Sequence, residues 1–237
     1  VDRVYDDFDL EYSMELSTRP EDFLGDIETW DHAEDQLKQA LTATERPFEL
    51  SEGEGNFYGP KIDFHVTDAI GRKWQCATIQ LDYQLPKRFK LKYIGADNAE
   101  HSPVVIHRAI FGSFERFIAL LIEHYAGKFP LWLAPLQVIV LPIADRHVEY
   151  AHAVEEKLRE AGLRVKLDSR QEKIGYKIRE AQLRKVPYML VVGDRESSEG
   201  TVAVRSATLG DQGSHALESF VKESLEEVRV KRSLAEG

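Results

Sequence analysis

Apolar and polar positions alternate at the start of the chain. Phe8, Leu10, Tyr12, Met14 and Leu16 fall on one side, and Asp9, Glu11, Ser13 and Glu15 on the other. A period of two predicts a strand with one buried face. Pro20, which has no N–H to give a ladder, closes the segment. Trp30, Ala33, Leu37, Ala40 and Leu41 then recur at helical spacing, with Thr29 as the candidate cap. A glycine-rich loop, Gly53 to Pro60, leads into a second alternating segment: Ile62, Phe64 and Val66 against Asp63, His65 and Thr67. Gly71 turns the chain into a third strand, about Lys73 to Tyr83. No crossover helix separates these strands, so the pattern predicts an antiparallel α+β sheet. Val104–Ile106 reads as a short strand. The stretch Ser113–Tyr125 is apolar on nearly every side, which predicts a helix buried in the core.

The pattern changes after Leu131-Trp132-Leu133-Ala134-Pro135, which reads as a linker. Val138 to Leu141 is a continuous apolar run, as in a strand covered on both faces. Tyr150, Ala151, Val154, Leu158 and Ala161 make a helical stripe ended by Gly162. Leu163, Val165 and Leu167 alternate with charges, and a helix follows near Lys173–Lys185. Tyr188–Val192 is a second apolar strand, and Val202 and Val204 mark another. Ser214 is the candidate cap of a last helix carrying Leu217, Phe220, Val221, Leu225 and Val228. The order β-α-β-α-β-β-α predicts an α/β unit with a mixed, mostly parallel sheet and helices on both faces. The boundary is expected near Pro130–Pro135, giving domains 1–133 and 134–237.

Composition narrows the class. With 237 residues, 43% hydrophobic and 30% charged, the chain has material for one or two cores. No apolar run approaches the roughly 20 residues needed to span a bilayer. The first residues lack signal-peptide order. They also lack an initiator Met, so Val1 reads as a cut in a longer chain. One cysteine, Cys76, excludes an internal disulfide framework and suggests a cytoplasmic setting. The net charge of -10 argues against nucleic acid in bulk. Its distribution does not: Arg164 to Lys185 holds eight basic residues against three acids. That run fits either a solvated face or an RNA contact.

Four constellations carry candidate chemistry. Arg116, in the first turn of the apolar helix, fits either an ion pair with Glu115 or a guanidinium facing a nucleotide. The loop Phe57-Tyr58-Gly59-Pro60-Lys61 fits either a surface turn or a close backbone approach to a ligand with Lys61 beside it. On the third strand, Thr78 and Gln80 share a face, while Gln75 points the other way unless a bulge shifts the register. His107 stands alone after an apolar run. Zinc needs at least three protein ligands, and no nearby pair completes a site.

Together these strings resemble a known family. Glu54-Gly55-Asn56-Phe57-Tyr58-Gly59-Pro60-Lys61-Ile62-Asp63, Trp74 to Asp82 and His107 to Phe117 are similar to the threonyl-tRNA synthetases. Glu172 to Glu180, Arg184 to Leu190 and Val202 to Arg205 are similar as well. The resemblance runs collinearly over nearly the whole chain. It implies a partial class II synthetase catalytic core followed by an anticodon-binding domain. It implies ligation of L-threonine to threonine tRNA with ATP and Mg, by an enzyme that is a homodimer at full length. Ser113 and Arg116 match the third class II signature, where the Arg packs on adenine. Tyr58, Lys61, Gln75, Thr78 and Gln80 match the aminoacyl-adenylate pocket, with Lys61 and Arg116 as catalytic residues. His107 matches one of three zinc ligands. Glu196, Arg205 and Gln171 match the anticodon readers, although Gln171 stands where Asn is expected. Lys173, Lys177 and Arg184, at spacings of four and seven, are expected to meet the tRNA backbone. The family's other two zinc ligands, its first two signatures and its editing domain are expected upstream of Val1, so the chain is expected not to aminoacylate alone. A non-catalytic RNA-binding module on the same scaffold, or a sibling enzyme for proline, histidine or glycine, are the other readings. His107 and the Phe57–Lys61 string favour threonine.

Overall fold

A computed structural model describes residues 1–231. The chain divides into two compact units, Val1–His124 and the part from Tyr125 onward.

In the first unit, the short helix α1 (Asp2–Asp6) precedes β1 (Tyr12–Ser17), and α2 (Ile27–Thr42) follows. The cap of α2 is Asp26, whose carboxylate accepts the Thr29 N–H, rather than Thr29 itself. β2 (Phe48–Ser51), β3 (Lys61–Thr67) and β4 (Lys73–Asp82) come next. The chain continues with α3 (Gln84–Phe89), the β5 (Tyr93–Ile94) and β6 (Glu100–His101) hairpin, β7 (Val105–Ala109) and α4 (Phe114–His124). The main sheet has the order β2-β1-β3-β4-β7. It is antiparallel, as the alternation predicts, except that β2 pairs parallel with β1. β2 was not legible because its alternation, Phe48 and Leu50 against Glu49 and Ser51, is only four residues long.

One face of this sheet is the core. Met14, Leu16, Ile62, Phe64, Val66 and Ala77 are buried with Trp30, Ala33, Leu37 and Leu41 of α2 and Phe117 of α4. Aromatic contacts tie the layer together: Tyr12 meets Phe64 at 5.5 Å and Tyr5 at 5.4 Å, and Tyr5 stacks on Phe117. Burial raises the Tyr5 hydroxyl pKa well above the usual tyrosine range. α4 departs from expectation. Phe117, Leu120 and Leu121 are buried, but Phe114, Ile118 and Ile122 are exposed. An all-apolar pattern states what a helix prefers, not which of its sides has a neighbour.

The second unit holds β8 (Val138–Pro142), α5 (Val148–Glu160), β9 (Val165–Leu167), α6 (Ile174–Leu183), β10 (Tyr188–Val192), α7 (Asp194–Glu199), β11 (Thr201–Ser206), β12 (Gly210–Ala216) and α8 (Leu217–Arg229). The sheet order is β12-β11-β10-β8-β9. β9, β8 and β10 are parallel, while β11 and β12 are antiparallel. β8 is buried along its whole length. Val138, Val140, Leu190 and Val192 pack with α5 and α8 on one face, and Ile139, Leu141 and Met189 pack with Ala181 of α6 on the other. The expected two-faced α/β sheet is therefore present. Ser214 lies inside β12, and the cap position of α8 is Ala216.

Leu131–Pro135 is more than a linker. Leu131 and Ala134 are buried, and the Arg164 guanidinium donates to the carbonyls of Ala134 and Trp132.

Candidate functional site

The open face of the first sheet is built by alternation from the residues between the core positions. Lys61 lies opposite Gln80, and Gln80 lies opposite His107. Asp63 lies opposite Thr78 in the next row. Directly opposed residues share a face, so Lys61, Thr78, Gln80 and His107 converge on one side. Gln75 joins them through a register shift between Phe64 and His65, which sets Gln75 opposite His65. Its amide then donates to the Asp63 carboxylate. Without that bulge the strand would turn Gln75 toward the core.

Tyr58 closes the face from the glycine-rich loop. Its hydroxyl donates to Gln80 Oε1 and accepts from Asn56 Nδ2 at 3.1 Å, and its ring lies 5.8 Å from that of His107. Burial and the Asp82 charge raise the Tyr58 hydroxyl pKa, which keeps it a proton donor. Gly59 permits this placement, because a Cβ there would fall 1.7 Å from the Leu81 carbonyl oxygen. Ser113 and Arg116 arrive from the start of α4. The Arg116 N–H donates to Ser113 Oγ, and the guanidinium reaches the Gln75 carbonyl at 3.1 Å. Gly112, at φ +68, brings that turn onto the Cys76 carbonyl. Burial raises the Cys76 thiol pKa, and the Arg116 charge only partly offsets it.

Two carboxylates on this face were not singled out from the sequence. Asp63 is 3% exposed and accepts from Lys61 Nζ at 2.7 Å. Asp82 is 0% exposed, accepts the backbone N–H groups of Gln84 and Leu85, and meets His107 Nε2 at 2.9 Å. Their signal was available: an Asp within a strand is costly to bury unless donors converge on it. Among the described residues, no three His, Cys, Asp or Glu side chains lie close enough to hold a metal ion. His107 offers one donor where zinc needs at least three. The described residues therefore do not by themselves form a zinc site.

In the second unit an open cleft lies outside the carboxyl ends of β8 and β9, where ligands of parallel sheets bind. Ile143, Asp145, Gln171, Lys173 and Lys177 line it. Gln171 Nε2 donates to Asp145 at 3.0 Å. Glu196 stands nearby: its carboxylate accepts the Gly193 N–H at 2.9 Å, and Ile143 flanks the same glycine. Arg146 binds Asp194 with two bonds of 2.7 Å, and buried His147 adds a third contact at 2.9 Å. The Arg146 guanidinium, with His147 behind it, holds the Asp194 carboxyl well below the usual range. Arg205 is set apart from the cleft. It lies opposite Met189 on the α6 side of the sheet and pairs with Asp211 at 3.2 Å.

Lys177 corrects an expectation. It is 3% exposed, and its ammonium donates to the carbonyls of Pro142 and Asp168. It is an internal clamp rather than part of an exposed stripe, because α6 turns this position toward the strand ends. Much of the basic run is likewise occupied. Arg164 binds carbonyls, Arg170 binds Asp168 and Glu180, and Lys185 binds the Ala126 carbonyl. Lys166, Lys173, Arg179 and Arg184 remain exposed.

Residues 1–125 match the family model of the tRNA synthetase class II core domain (G, H, P, S and T). This chain belongs to the class II tRNA synthetase family. Residues 137–227 of this class II chain match the anticodon binding domain. It is 57% identical over 231 residues to a threonine–tRNA ligase of Caldanaerobacter subterraneus subsp. tengcongensis, covering 98% of this chain and 36% of the relative. It is 58% identical over 233 residues to that of Clostridium acetobutylicum, covering 98% and 37%. The crystal structure of the RNA binding domain of threonyl-tRNA synthetase from Cryptosporidium parvum Iowa II superposes with a TM-score of 0.90 at 42% identity, over 95% of this chain and 57% of that one. The class II chain thus spans little more than a third of the length of the curated relatives it matches. No helix among its described residues is long and apolar enough to cross a membrane.

Proposed function

We propose that this chain supplies part of the adenylate site and the anticodon reader of a threonine–tRNA ligase. The observation that carries the reading is the convergence of Lys61, Gln75, Thr78, Gln80 and His107 on the open face of a sheet whose other face is core. Adjacent strands lie about 4.8 Å apart, so the row from Lys61 through Gln80 to His107 spans about 10 Å, a fit for the aminoacyl part of an adenylate. Tyr58 and Gln80 offer the hydrogen bonds that orient a small polar amino acid. Lys61 and Arg116 supply positive charge toward an α-phosphate or carboxylate and toward the nucleotide, while Ser113 shapes the turn that carries Arg116.

ATP with Mg, L-threonine and threonine tRNA belong to this proposal. So do assembly as a homodimer at full length and a cytoplasmic setting. Zinc enters only as an ion to which His107 contributes one ligand, with the remainder supplied by residues other than those described. In the second unit, Gln171, Glu196 and Arg205 read bases while Lys173 meets the backbone. The division into a core through residue 133 and an anticodon domain from 134 is part of the same reading.

Two measurements on this chain test it. Threonyl-sulfamoyl adenosine should shift the amide resonances of Lys61, Gln75, Thr78, Gln80 and Arg116 as a group. The anticodon stem-loop of threonine tRNA should bind more tightly than one with a scrambled loop. Shifts confined to other residues would overturn the adenylate reading, and equal binding of both loops would overturn the anticodon reading. Loop discrimination without any adenylate response would favour the second reading, a module that binds tRNA without catalysis.

A further inference from the structure

Asp63 stands at the centre of the candidate adenylate face yet is too buried to touch a ligand directly. The residue is 3% exposed, and its carboxylate collects donors from its own strand and from both neighbouring strands. Lys61 of β3 gives its ammonium at 2.7 Å, Gln75 of β4 gives its amide, and Ser17 of β1 gives its hydroxyl at 3.4 Å.

We propose that Asp63 is a positioning residue that fixes the Lys61 ammonium and the Gln75 amide for an anionic, hydroxyl-bearing ligand of the aminoacyl-adenylate class. The inference deepens, and rests on, the adenylate reading of this face. Three physical points carry it. A lysine on a four-carbon stem has many rotamers, and the Asp63 contact selects one of them. The Lys61 side chain is only 16% exposed, so its charge is largely desolvated and the contact is strong. An ammonium has three donors, and Asp63 takes one, so two remain for a ligand.

Gln75 is fixed in direction as well as place. A carboxylate only accepts, so the amide nitrogen must face Asp63 and the amide oxygen must face away. The bulge between Phe64 and His65 brings Gln75 to this face, and Asp63 gives it an acceptor there. The face therefore presents directed donors from Lys61 beside an acceptor oxygen from Gln75. Asp63 offsets part of the Lys61 charge, so an anion would be held by directed donors as well as by charge.

Nuclear magnetic resonance on the whole chain tests this. In the unmodified chain the Lys61 ammonium protons should exchange slowly with water and give a distinct signal, and rapid exchange would overturn the proposal without any variant. Asp63→Asn should remove that signal, shift the Gln75 side-chain amide, and weaken threonyl-sulfamoyl adenosine binding by about tenfold or more. A folded Asp63→Asn chain that keeps the signal, the amide shift and the affinity would overturn it equally. Lys61→Ala and Gln75→Ala separate the two levels. If neither weakens binding, the adenylate reading fails, whereas the Lys61 signal still reports whether Asp63 holds it.

Discussion

The Asp82 carboxylate meets His107 Nε2 at 2.9 Å from a position with no solvent exposure. Its other oxygen accepts two backbone N–H groups at the start of α3. An ionised carboxylate can only accept, so Nε2 is the nitrogen that carries a proton in this contact. Long-range proton–nitrogen correlation should show the Nε2–H tautomer of His107. Asp82→Asn should alter that tautomer pattern, and an unchanged pattern would refute the assignment.

Gly59 is a packing requirement. A Cβ at this position would overlap the Leu81 carbonyl. Gly59→Ala should destabilise the first unit by about 1–3 kcal/mol and displace Tyr58 from Gln80. Thermal unfolding reads the first effect and the Tyr58 and Gln80 resonances the second.

Lys177 and Lys173 should behave differently although they lie one helical turn apart. Lys177→Met leaves two buried carbonyls without a donor and should lower stability by about 1–3 kcal/mol. Lys173→Ala should leave the melting temperature unchanged. It should flatten the slope of log affinity against log salt for RNA by about 0.7 if it meets one phosphate. Equal melting temperatures for the two variants would contradict the clamp.

Arg205 is held by Asp211 in the absence of RNA. A base and Asp211 compete for the same guanidinium. Asp211→Asn should therefore tighten binding of the threonine anticodon stem-loop, by up to about fivefold for an exposed pair. Arg205→Ala should erase discrimination between stem-loops. Tighter binding of every loop alike in the Asp211 variant would point to simple charge removal instead.

Asp168 gives the second unit an acid limit. Hydrogen bonds from the Arg170 guanidinium hold this buried carboxyl below its usual range, against the opposing effect of burial. Its contribution to stability is complete above the ordinary aspartate pKa of about 3.9 and is lost as the pH falls through the lower folded-state value. Arg170→Ala raises the folded-state value, so acid unfolding should begin at a higher pH. Fluorescence of Trp132 against pH reads this transition.

The sequence by itself determined the family, the long strands and the composition of the open sheet face. Lys61 and Asp63, like Thr78 and Gln80, are two residues apart, and alternation is local enough to read from the chain. Tertiary structure decided what depends on distant partners. Gln75 faces the candidate site because β3 and β4 slip register at Phe64–His65, a property of the pair of strands. β2 adds to the sheet because β1 offers it an edge. Lys177 is buried because carbonyls 35 and 9 residues away along the chain converge on its ammonium. The basic run looked like one electrostatic surface, yet carbonyls from other elements and carboxylates within the run occupy half of it. Periodicity shows which side a residue takes on its own element, and only the assembled chain sets what meets it there.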